Sequence, residues 1–100
     1  MSHELRITSR AEADIADAFD WYEQRVPGLG VDFLHCVDAT ISSVQRSPQF
    51  FRPRHSSHRL AMTPRFPYAV YFICNEFTGL VSIRPVLGFA QNAPAYLEQP

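Results

Sequence analysis

Every fixed positive charge in this 100-residue sequence is an arginine; there are nine basic residues and no lysine. Six of them, Arg46, Arg52, Arg54, Arg59, Arg65 and Arg84, fall after residue 38, where His55 and His58 also stand in the run "RHSSHR". The arginine side chain is a planar fork that meets a carboxylate or phosphate through two parallel hydrogen bonds. A basic half built only from it suits an acidic peptide or a nucleic acid, although a compositional habit of the source genome accounts equally well for the missing lysines. His55 and His58 are of the type that exchanges protons near neutral pH. In a stretch rich in serine and proline they read first as solvated loop residues, and their spacing with the cysteines is not that of a metal-ligand set. No metal or cofactor is implied. Cys36 and Cys74 lie in apolar runs without a C-x-x-C pair, which suits reduced, buried thiols.

The net charge of −1 conceals a segregation. Residues 1–38 hold eight acids (Glu4, Glu12, Asp14, Asp17, Asp20, Glu23, Asp32, Asp38) against Arg6, Arg10 and Arg25; the rest of the chain holds Glu76 and Glu98 against six arginines. The two halves therefore have opposite sign, and the acidic one offsets the pull of the basic one on a phosphate backbone. A hydrophobic fraction of 46% with 13% aromatic residues belongs to a folded chain, and the length fits one domain over residues 1–100. No run approaches the about 20 apolar residues of a membrane span, and the first residues lack an apolar signal core. The expectation is a soluble intracellular protein.

The elements that must position these groups follow from periodicity. "ELRIT", residues 4–8, alternates as a short strand. Ser9 three residues before Glu12 has the form of a capping box, and Ala11, Ile15, Ala18, Phe19 and Tyr22 recur at helical spacing behind it. This predicts a helix over about residues 10–25, stopped by Pro27 and Gly28. Phe33, Leu34, Val37, Ile41 and Val44 repeat the period up to Ser47-Pro48, so two helices form an antiparallel hairpin. Residues 47–58, with prolines, serines and basic groups, read as an exposed loop in which Phe50 or Phe51 is an anchor. "RLAMT", "YAVYFIC" and "GLVSIRPVLGF" read as three strands, with a hairpin turn over residues 75–79 and the second strand central in the sheet, covered on both faces. Pro85 cannot donate to a ladder, so the last strand must be an edge or a bulge there. The fold class is α+β in the order β-α-α-β-β-β, a helix hairpin on a small, mainly antiparallel sheet.

Four motifs in this order resemble the RelE/ParE superfamily of type II toxins, often labelled plasmid-stabilisation proteins. They are "A-x-x-D-I-x-x-A-x-x-W-Y" (Ala11, Asp14, Ile15, Ala18, Trp21, Tyr22), "P-G-L-G-x-x-F" (Pro27 to Phe33), "I-x-x-V-x-x-x-P" (Ile41, Val44, Pro48) and "R-F-P-Y-x-V-x-F" (Arg65 to Phe72). The likeness spans about residues 4–97. It implies a cytoplasmic toxin held by a cognate antitoxin and oligomeric through it. ParE-like members poison DNA gyrase, whereas RelE-like members cut messenger RNA on the ribosome.

Cutting RNA by its own 2′-OH requires a proton acceptor, a proton donor and cations around the phosphorane, each worth orders of magnitude in rate. Carried over by position, Arg59 and Arg84 would bind phosphate and Tyr96 would take the late tyrosine place. The tail departs from the pattern. Members ending in "H-x-x-R-x-P-x-Y-W" match Pro94 and Tyr96, but Phe89 then stands at the histidine, Asn92 at the arginine and Leu97 at the tryptophan. A phenylalanine moves no proton and an asparagine holds no charge. The resemblance thus implies a ParE-like, non-enzymatic toxin first and an endoribonuclease second, or a decayed toxin that only binds antitoxin. Candidate partner contacts are Arg52, Arg54, Arg65, Phe89 and Leu97, with arginines pairing to carboxylates of an antitoxin tail that folds on binding. Tyr68, Tyr71 and Phe72 read as packing residues, and Trp21 as half-buried on the helix hairpin.

Overall fold

The computed structural model describes residues 3–55 and 57–88, with the backbone alone at Arg54 and His55. Strand β1 (Glu4–Ile7) leads into helices α1 (Ser9–Arg25) and α2 (Leu29–Arg46), a single 3₁₀ turn (Pro48–Phe50), and strands β2 (Pro53–His55), β3 (His58–Met62), β4 (Tyr68–Cys74) and β5 (Leu80–Gly88). The strands form one sheet in the order β1-β5-β4-β3-β2. β1 runs parallel to β5 and all other pairs are antiparallel. The expected order is therefore present with one addition. The stretch read as a loop contributes β2, a three-residue strand broken by a bulge, which lies at the sheet edge where Pro53 costs no interior ladder bond.

Helix α1 starts one residue earlier than the sequence suggests, and its cap is Thr8 rather than Ser9. The Thr8 hydroxyl accepts from the Ala11 N–H at 3.2 Å and donates to the Ile83 carbonyl at 2.8 Å. One side chain thus closes the helix start and ties it to β5, a task that Ser9, already inside the helix, cannot share. Helix α2 has no capping side chain of its own, because its N-cap is Gly28 at φ 91°. Glu23, from α1, supplies the cap: its two carboxylate oxygens accept from the Gly28 and Gly30 N–H groups at 2.9 Å each. A carboxylate at a helix N-terminus meets both the free donors and the positive end of the helix dipole.

Both helices cover the same face of the sheet. Phe33, Val37, Ile41 and Val44 of α2 and Ala11, Ala18 and Tyr22 of α1 pack on Ala61, Val70, Phe72, Val81, Ile83 and Val86 in one buried cluster. At the loop end of the hairpin, Tyr22, Phe33, Phe66 and Tyr68 form a ring cluster with centroid separations of 5.0 to 6.1 Å. Such tilted and edge-on contacts add to the area they bury. Phe51, not Phe50, is the anchor after α2; it stands edge-on to Phe72 at 5.7 Å, while Phe50 is 85% exposed. β4 occupies the middle of the sheet as expected. Its second face differs, since Ala69 is buried but Tyr71 and Ile73 are only half-buried and no described helix packs there.

The hairpin closes at Gly30. A Cβ placed there would sit 2.7 Å from the Phe19 carbonyl oxygen and 2.8 Å from its ring. Backbone cannot retreat as a flexible side chain would, so overpacking outweighs the helix-propensity gain of alanine. Gly30→Ala is expected to lower the unfolding free energy by about 1–2 kcal/mol, measured by urea denaturation.

Candidate partner-binding surface

Strand β5 carries a bulge at Arg84 and Pro85. Val70 pairs with Val86 but Phe72 pairs with Ile83, so Arg84 and Pro85 together oppose Tyr71. This is the irregularity that Pro85 demands, and β1 has ended at Ile7, opposite Ile83, so no neighbour needs the missing donor. Beyond the bulge the Val86 N–H donates to Asp14 Oδ2 at 3.0 Å. The other carboxylate oxygen, Oδ1, accepts from Arg10 Nε at 3.0 Å. Asp14, the acid of the first helix motif, therefore fastens α1 to the bulged strand.

The faces follow from alternation. Arg59 is paired with Phe72 and so lies on the helix-covered side, half-buried, with Nη1 donating to the Phe51 carbonyl at 2.6 Å. Arg84 is exposed on the side away from the helices, where it follows the inward-facing Ile83. The two arginines considered for phosphate binding are thus on opposite faces and are not brought together. Arg59 serves instead to hold the segment after α2 against the sheet edge. The same side, away from the helices, also carries Arg6, exposed and paired with Ser82, the partly exposed Leu60, Tyr71, Ile73 and Leu80, Met62 at 59% exposure, and the buried pair Ala69 and Leu87.

Arg52 is exposed between the 3₁₀ turn and β2. Arg65 stands at the other end of the sheet, in the β3–β4 turn with φ 70°; it lies 3.8 Å from Asp32, with 64% of its side chain exposed, and 5.6 Å over the Phe66 ring. A pair so exposed contributes little to stability, which leaves Arg65 available to a partner. The Arg54 side chain and Phe89, Asn92, Pro94, Tyr96 and Leu97 lie outside the described residues. Trp21 on α1 is 49% exposed, half covered as the sequence suggests, with the Arg25 guanidinium 3.4 Å above its ring.

Exposed charge is only partly sorted by layer: the helices carry Glu12, Asp17, Asp20 and Asp38 beside Arg25 and Arg46, and the sheet and its turns carry Arg6, Arg52, Arg65 and Arg84 beside Glu4 and Glu76. Among the described residues no group of three or more His, Cys, Asp or Glu side chains could hold a metal ion. Cys36 and Cys74 are free and half-buried. No described helix is long and apolar enough to cross a membrane.

Two phenols respond to this packing. Burial, and next the neighbouring Tyr68, raise the Tyr22 pKa above its ordinary 10.0; burial, and next the Asp14 carboxylate, raise that of Tyr68. A phenol harder to ionise when folded favours the fold fully below pH 10.0, and that contribution fades as pH rises toward the folded values. Tyrosinate absorbance should therefore include a late-ionising component on alkaline titration that is reduced in Tyr22→Phe and in Tyr68→Phe, and thermal stability should decline from about pH 10 upward. Asp14→Ala should cost about 1–3 kcal/mol by denaturation, since it strands the Val86 donor, while Asp14→Asn, which keeps an acceptor, should cost less.

No protein-family model matches the sequence, and no curated protein matches it. Solved structures do match. A chain of the chromosomal ParDE system from P. aeruginosa superposes with a TM-score of 0.77 at 18% identity, covering 87% of this chain and 96% of that one. A chain of the toxin–antitoxin complex RelBE2 from Mycobacterium tuberculosis gives a TM-score of 0.60 at 16% identity, covering 88% and 99%. The chain has the RelE/ParE fold, as its four motifs imply, with the higher of the two scores on the ParDE side.

Proposed function

We propose that this chain is the toxin of a type II toxin–antitoxin pair, ParE-like, acting in the cytoplasm by holding a target protein such as DNA gyrase and neutralised by a cognate antitoxin. The fold shared with a ParDE chain over 87% of the sequence carries this reading. The separation of Arg59 and Arg84 supports binding over cleavage, because cations that stabilise a phosphorane must converge on one phosphate, and these two stand on opposite faces of the sheet. The neutral tail, with Phe89 and Asn92 where a nuclease of the fold would carry histidine and arginine, supports it too.

The antitoxin contact falls to the basic surfaces. Arg52, Arg65 and Arg84 are exposed and can pair with carboxylates of an acidic tail, and Arg54, Phe89 and Leu97 extend the same assignment. Rim charges act mainly on the association rate, whereas buried apolar anchors supply most of the affinity. Association of antitoxin should accordingly slow with added salt, and Arg84→Ala should slow it further.

The test of function is induced expression in a bacterial host, alone and with the antitoxin supplied by a neighbouring reading frame. Growth arrest with DNA damage, relieved by the antitoxin, and inhibition of purified gyrase are the expected results. Arrest with intact supercoiling and cleaved messenger RNA would replace the gyrase reading with that of a ribosome-dependent endoribonuclease.

A further inference from the structure

Phe77 is fully exposed, with 100% of its surface open to solvent. Its place is the β4–β5 turn, residues 75–79, and that turn is built to hold it. Asn75 Oδ1 accepts from the Phe77 and Thr78 N–H groups at 2.9 and 3.1 Å. The Gly79 N–H donates to the Asn75 carbonyl and the Asn75 N–H to the Leu80 carbonyl, both at 2.8 Å, and the Leu80 N–H donates to Thr78 Oγ1 at 3.2 Å. Gly79, at φ 76°, returns the chain into β5. Five hydrogen bonds in so short a turn fix the backbone that carries the ring. An apolar side chain presented on an ordered backbone loses little freedom on docking, which is the condition for an interface anchor.

The chemistry of the turn selects the kind of partner. Its only charge is Glu76, also exposed, and it contains no arginine. A carboxylate beside the ring disfavours phosphate backbones and anionic lipid surfaces, and a single ring gives weak hold on a bilayer. It equally disfavours an acidic antitoxin tail, for which Arg52, Arg65 and Arg84 offer the matching charge elsewhere. One protruding ring with an acidic neighbour fits a preformed apolar pocket whose rim is neutral or basic.

We infer that Phe77 is the anchor by which this chain engages its target protein, inserted into an apolar pocket of that protein, at a surface separate from the antitoxin contact. The inference rests on the toxin reading above and names the contact through which it acts.

The test compares wild type and Phe77→Ala, both in full-length form, for growth arrest on induction, for affinity to the antitoxin and for melting temperature. Loss of an anchor weakens binding by about 30-fold or more, so Phe77→Ala should require correspondingly higher expression to arrest growth. Its antitoxin affinity and melting temperature should match wild type, since the ring touches nothing in the fold. Arrest by Phe77→Ala at the same expression as wild type would overturn the anchor and leave the toxin reading standing. Loss of antitoxin affinity along with arrest would overturn it as well, by placing Phe77 in the other interface. A wild-type chain that arrests nothing would overturn both.

Discussion

The hydrogen bond from the Val86 N–H to Asp14, 72 residues away in sequence, is where the two layers of the molecule become one. Pro85 prevents a regular ladder, the strand takes up an extra residue, and the donor beyond it turns out of register. An unpaired buried or half-buried amide would be costly. Asp14 answers it from the inner side of α1, and Arg10 holds the carboxylate in place. Thr8 makes a second tie between the start of α1 and β5, through the Ile83 carbonyl. Between them, these two contacts fix where the first helix crosses the sheet.

The rest of the arrangement follows from that crossing. With α1 placed, Tyr22 meets Phe33, Phe66 and Tyr68, and the near contact of Phe19 with Gly30 allows α2 to lie close beside α1. Glu23 then reaches the start of α2. Strand alternation decides the surface. Arg84 follows the inward-facing Ile83 and so points away from the helices, while Arg59, level with Ile83 through Phe72, remains on the helix side as a support for the Phe51 segment. The two arginines thus stand on different faces, Arg84 exposed and Arg59 half-buried and bonded to the Phe51 carbonyl.

Much of this was legible in the sequence because the strongest signals were periodic or local. The apolar stripe of α2, the β-rich run of residues 68–74 and the turn composition of residues 75–79 each specify their element without reference to the rest of the chain. Pro85 announced a bulge because a missing donor has few solutions. What could not be read was tertiary. Ser9 and Glu12 match a capping box as well as Thr8 matches a cap, and only the Ile83 carbonyl favours Thr8. β2 carries no alternation in three residues, so its pairing with β3 decides its state. Arg59 and Arg84 looked equivalent as candidate cations, because the face of a strand residue depends on which residues it pairs with across the sheet, and that register is tertiary. Asp14 was visible only as a motif residue; its partner Val86 gives no sign in sequence that its amide needs an acceptor.

The account depends most on the bulge and its acceptor, and amide hydrogen exchange at Val86 tests it most directly. If Asp14 holds that amide, Val86 exchanges slowly in the native chain, with protection comparable to its ladder neighbours in β4 and β5, and the Asp14→Ala chain loses that protection at Val86 before it loses it at Phe72 or Ile83. Exchange at Val86 as fast as that of an unprotected amide, in the unsubstituted chain, would contradict the tie between α1 and the bulged strand.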